Sequence, residues 1–129
     1  MFHKKSLKIS HKRVVDDTLL AEIIHPNHQE NDPNLPFSLA HVKLSSGKKS
    51  TPHKLIHSTE TYIIIQGHGQ ITIGDETEKV HAGSVVVVAP NKIQSIQNTG
   101  YSTLLFYCIV SPPWDQKQDI SCNEMRNSK

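Results

Sequence analysis

His53 and Glu60 stand seven residues apart, and an apolar run of β-forming residues, Tyr62 to Ile65, follows directly. A neutral imidazole and an ionised carboxylate on neighbouring strands can bind one divalent first-row metal from one side. The stretch that carries them starts at Gly47 and closes at Gly67. The first glycine suits a tight turn, and the second closes a strand into a hairpin. His57, between the two, reads either as a further ligand that swings inward or as an exposed loop residue. If Glu60 points into a barrel, Tyr62 and Ile64 do too, because alternate strand residues share a face. Tyr62 is then a candidate proton donor. The same rule puts Leu104, Phe106, Cys108 and Val110 on one face, the more apolar one, so Cys108 points inward. Its thiol is a candidate catalytic or redox group, or simply a small core filler. Without a metal, His53, Glu60 and Gln94 read as a buried hydrogen-bonded cluster around a small polar ligand or ordered water.

The elements that must position these residues are short strands. Apolar or alternating runs fall at Phe37–Leu44, His53–Ile56, Thr61–Gln66, Gln70–Ile73, Thr77–Val80, Ser84–Ala89, Gln94–Gln97 and Thr103–Val110. Gly, Pro, Asn and Asp separate them, and helical periodicity is absent between residues 37 and 110. This pattern predicts an all-β sandwich or barrel. Residues 1–18 form a basic arm, flexible or strand-adding; 19–114 form the barrel; 115–129 form a polar tail, a short helix or disordered. Leu19 to Ile24 is apolar but ambiguous between helix and strand. His41 alternates with Lys43 opposite an apolar face and so is expected to point outward or toward a subunit interface. His25, His28, His68 and His81 all read as surface or turn residues.

Composition bounds the function. At 129 residues the chain suits one domain with a modest core. The longest uninterrupted aliphatic stretch, Val85 to Ala89, is far short of the ~20 residues of a membrane-spanning helix. Five of the fourteen Lys and Arg residues lie in the first thirteen positions, with no acid among them. Five charges so spaced are a weak signal for nucleic acid or membrane, and direct nucleic-acid binding is not expected. No apolar segment of the signal-peptide kind follows them, so a cytoplasmic location is expected. Cys108 and Cys122 match no metal-binding spacing and are expected as free thiols.

The stretch Gly47–Gly67 resembles the first signature of the cupin superfamily, and a second stretch, Gly83 to Asn98, resembles the other. There Gly83, Ala89, Pro90, Asn91, Gln94 and Asn98 keep the family spacing, with Ala89, Asn91 and Gln94 standing where Pro, Gly and His are usual. Asn91 is a reasonable stand-in for Gly because Asn tolerates a left-handed backbone. The final run, Phe106 to Trp114, is similar to the last strand of small single-domain cupins of the sugar-phosphate-isomerase-like type. The resemblance implies a double-stranded β-helix, a jelly-roll-like barrel of two antiparallel sheets, and a homodimer. It also implies a metal held by three His and one Glu. Here Leu55 occupies one His position and Gln94 another, which leaves His53, Glu60 and the weaker Gln94 carbonyl, with His57 as a substitute. The implied cofactor is a divalent transition metal (Mn, Fe, Zn or Ni), and the implied partner is a small polar metabolite such as a sugar phosphate or other polyol. The corresponding activities are isomerase, lyase or dioxygenase. The alternative is a non-catalytic ligand-binding or sensor protein, or a structural dimer with a vestigial site.

Overall fold

The structure, a computed structural model, describes residues 3–5, 11–13, 17–28 and 32–122. The strands are β1 (Lys12–Arg13), β2 (Leu19–Ile24), β3 (Ser38–Leu44), β4 (His53–Leu55), β5 (Thr59–Gln66), β6 (His68–Ile73), β7 (Glu76–His81), β8 (Val85–Val88), β9 (Gln94–Asn98), β10 (Leu104–Ser111) and β11 (Asp119–Ser121). They pair into a six-stranded sheet, β1-β2-β3-β10-β5-β8, and a five-stranded sheet, β11-β4-β9-β6-β7. Every pairing within the two sheets is antiparallel. This is the expected all-β barrel of two sheets.

Period-two alternation builds its interior. Val42 and Leu44 of β3, Tyr62 and Ile64 of β5, and Leu104 and Phe106 of β10 face Ile71, Val80 and Ile96 from the other sheet. Fully burying a side chain of this kind contributes about 1.5–3 kcal/mol. The β5 to β6 turn requires Gly67: its φ is +96°, and a Cβ there would lie 2.9 Å from the Thr103 carbonyl oxygen. Asn91 adopts the left-handed conformation its motif position demands, with φ at +66°. From there its N–H donates to the Leu55 carbonyl at 2.7 Å, which ties the β8–β9 turn to β4. Asn98, buried at the end of β9, donates from Nδ2 to the carbonyls of Leu44 and Ser102, both at 2.8 Å. Its Oδ1 accepts from the Gly100 N–H at 2.9 Å, so the motif asparagine holds a loop together.

The structure differs from the sequence reading in three places. Leu19–Ile24, ambiguous in sequence, is a strand, because its alternate residues pack against β3. In the segment from Asp115, expected as a polar tail that is a short helix or disordered, the described residues form a 3-10 turn at Gln116–Gln118 and then β11, which pairs with β4, while residues 123–129 lie outside the described ones. His25, expected at the surface, is 1% exposed. Its Nε2–H donates to the Trp114 carbonyl at 2.6 Å, and its Nδ1 accepts from the Asn27 N–H at 3.1 Å, so the ring locks the β2 exit to the C-terminal segment. Within residues 1–18, Lys12–Arg13 pair with β2 as β1, and residues 1–2, 6–10 and 14–16 lie outside the described ones. His41 lies on the outer side of β3, where His11 covers it with a ring-to-ring hydrogen bond of 2.7 Å. Desolvation pushes both imidazoles below their ordinary value, with Lys43 adding to the effect on each.

Candidate functional site

The cavity between the sheets has a volume of about 550 Å³, within the range of small-molecule sites. His53, Glu60, Tyr62 and Cys108 all line it. Strand alternation brings them there: Glu60 and Tyr62 from one face of β5, Cys108 from the inward face of β10 and His53 from β4. In the ladder Cys108 lies opposite Tyr62.

His53 and Glu60 form an ion pair, with Nε2 3.7 Å from Oε1. The His53 Nδ1–H donates to the Thr51 carbonyl at 3.2 Å, which fixes the ring with Nε2 toward the carboxylate. Burial alone would lower the His53 pKa, but Glu60 outweighs it, with help from Asp119 and the Thr51 carbonyl, and raises it to about 9. His53 is therefore an imidazolium at neutral pH. Cys108 is buried, and its thiol is pushed well above its ordinary value, first by desolvation and then by the negative charge of Glu60. A thiol held as S–H is a hydrogen-bond donor rather than a nucleophile.

Gln94 sits across the β4–β9 ladder from His53, buried. Its carbonyl oxygen, the atom that would ligate a metal, accepts a hydrogen bond from the Tyr62 hydroxyl. The phenol proton that could have served a ligand is used in the same contact. His57 is exposed in the turn between β4 and β5 and does not line the cavity. That turn is held by Gln118, whose Oε1 accepts from the N–H groups of His57 and Ser58 at 2.9 and 3.0 Å. Its Nε2 donates to Ser58 Oγ at 2.6 Å, closing the clamp. The C-terminal segment also brings Trp114, Gln116, Asp119 and Ser121 to the cavity wall. Sequence reasoning passed over these residues because they follow the Pro112-Pro113 break in a polar context. The one available signal was the β-branched Ile120.

Residues 40–110, more than half the chain, match the sequence profile described as the cupin domain. The chain belongs to the cupin family. It is 29% identical over 102 residues to an uncharacterized protein of Methanocaldococcus jannaschii, covering 79% of each chain. Among solved structures it resembles a predicted oxalate decarboxylase from Thermotoga maritima, with TM-score 0.74 and 22% identity, covering 86% of this chain and 99% of that one. It also resembles a Cupin 2 conserved barrel domain protein from Salinispora arenicola, with TM-score 0.71 and 18% identity, covering 92% of each. At these identities the structural likenesses establish the fold.

The family implies a metal, and the donors of this cupin can be tested against one. His53 and Glu60 face each other, Gln94 is engaged by Tyr62, and Leu55 is a buried hydrocarbon. That leaves Glu60 and His53, one donor short of the three protein ligands of a catalytic site. Among the described residues, one group does bring three His, Cys, Asp or Glu donor atoms within 4.8 Å of one another: Glu22, His25 and His28. It is a possible metal site by proximity and distinct from the expected one. In the structure both nitrogens of His25 are hydrogen-bonded, and His28 Nδ1 meets Glu22 at 3.1 Å. The two imidazoles also stack face to face, 3.5 Å and 8° apart, so their in-plane lone pairs run parallel instead of converging on one ion.

The ion pair fixes a pH dependence. Because folding raises the His53 pKa from 6.5 to about 9, its contribution to stability is complete below pH 6.5 and fades as pH rises through 9. A difference of that size corresponds to on the order of 3 kcal/mol. Urea unfolding across this window is expected to show the decline, and His53→Gln is expected to flatten it. A wild-type stability that holds constant up to pH 9 would contradict the assignment.

Proposed function

We propose that this cupin binds a small polar metabolite inside its barrel, with His53 and Glu60 contacting the ligand as a protonated pair. The observation that carries this reading is the cavity of about 550 Å³ onto which a largely buried imidazolium–carboxylate pair opens. Apolar walls such as Val42, Ile96 and Phe106 supply desolvation, while Ser38, Ser50, Thr51 and Ser121 supply hydroxyls at the rim and wall. An imidazolium beside a carboxylate can donate a proton at one ligand atom and accept one at another, the equipment of an isomerase or lyase working by general acid–base chemistry. Tyr62 lines the same wall, with its own proton given to Gln94.

A second reading keeps a metal at His53 and Glu60. It is favoured by the Thr51 carbonyl, which holds Nδ1–H and leaves Nε2 as the nitrogen nearest the carboxylate, the arrangement that second-shell partners impose on ligating histidines. We further propose a cytoplasmic homodimer. Ile65, Val85 and Val87, on the outward faces of β5 and the edge strand β8, are 48%, 60% and 62% exposed, and exposed apolar edge strands are ordinarily covered.

One preparation tests these readings together. Untagged protein incubated with manganese, iron, zinc or nickel and then desalted is expected to retain well under one metal per chain, and to run in light scattering at twice 14.5 kDa. Native mass spectrometry is expected to show a small organic ligand that His53→Ala and Glu60→Ala both lose. One tightly held metal per chain, absent from both variants, would replace the first reading with the second. A strict monomer would remove the dimer.

A further inference from the structure

The walls of the cavity are unbalanced in charge. Glu22, Glu60 and Asp119 line it, and against them stands His53. Among the described residues no Lys or Arg lines it. Even counting the exposed His28 that meets Glu22, carboxylates outnumber cations. Glu60 is only 8% exposed, so its charge acts in a poorly screened setting. A phosphate or dicarboxylate entering here would meet like charges and find no guanidinium or ammonium to grip it.

The aromatic lining points the same way. Trp114, the chain's single tryptophan, lies in the wall with Tyr62 and Phe106. Its indole N–H donates to Asp119 Oδ2 at 2.8 Å, which fixes the ring beside a carboxylate. Carboxylates next to an indole make the combination that attracts ammonium groups, through ion pairing and through the negative face of the ring.

We propose that the ligand of this cavity is a small organic cation bearing an ammonium group, recognised by Asp119, Glu60 and Trp114. The proposal rests on the reading that the barrel interior is the binding site. It replaces the sugar phosphate expected from family resemblance with a ligand of opposite charge.

Trp114 reports the outcome directly, because its emission is the chain's only tryptophan signal. The probes are choline, its uncharged carbon isostere 3,3-dimethyl-1-butanol, inorganic phosphate and oxalate. Choline is expected to shift the emission saturably and to bind at least about tenfold more tightly than the alcohol. Added salt is expected to weaken it. Asp119→Asn, which keeps an acceptor for the indole, is expected to weaken it several-fold without changing the circular dichroism spectrum. Glu22→Gln, at the opposite wall, serves as the second variant should Asp119→Asn not fold. Tighter binding of phosphate or oxalate, or equal binding of the alcohol, would overturn the ammonium ligand while leaving the barrel as a binding site. Silence of Trp114 toward choline would overturn it as well. The barrel reading itself fails separately, if no small molecule accompanies the purified protein.

Discussion

A protonated imidazole 3.7 Å from a carboxylate, both largely withdrawn from water, must be compensated from every side. The barrel around His53 and Glu60 is arranged to do so. The Thr51 carbonyl accepts from one imidazole N–H, Asp119 adds negative charge from β11, and the Cys108 thiol of β10 lines the same cavity. Each partner comes from a different segment, so the pair is satisfied only when β4, β5, β10 and β11 are all in register. Gln118 secures the turn that spaces the two residues, and Asn91 secures β4 from the other side. The C-terminal segment is therefore part of the site, although its residues lie beyond the span that defines the family.

That dependence explains what the sequence revealed. Short-range alternation was legible, because the pleat dictates it: Glu60, Tyr62 and Ile64 face inward as expected, as do Leu104, Phe106 and Cys108. The left-handed backbone at Asn91 was legible because few residues tolerate it. What depended on long-range partners was not. His25 looks like a surface residue before a proline until the Trp114 carbonyl, 89 positions away, reaches it. β11 has three residues in a polar stretch, and only pairing with β4 makes it a strand. Gln94 has the chemistry of a ligand, yet Tyr62 takes its carbonyl, a contact that spacing alone does not disclose.

The scaffold of the fold is kept here while side chains at two positions of its signatures differ from the usual set. Leu55 in a ligand position removes a donor, and Gln94 in another turns inward to the phenol. The remaining carboxylate, Glu60, lies beside its histidine neighbour and raises that imidazole's pKa.

The central claim is that His53 carries a proton through neutral pH because Glu60 holds it there. Titration of the His53 imidazole by carbon-13 NMR, assigned through the His53→Gln variant, tests it most directly. The account predicts a midpoint near pH 9. A midpoint at or below the 6.5 of an ordinary histidine would contradict it and return the imidazole to the role of a free ligand.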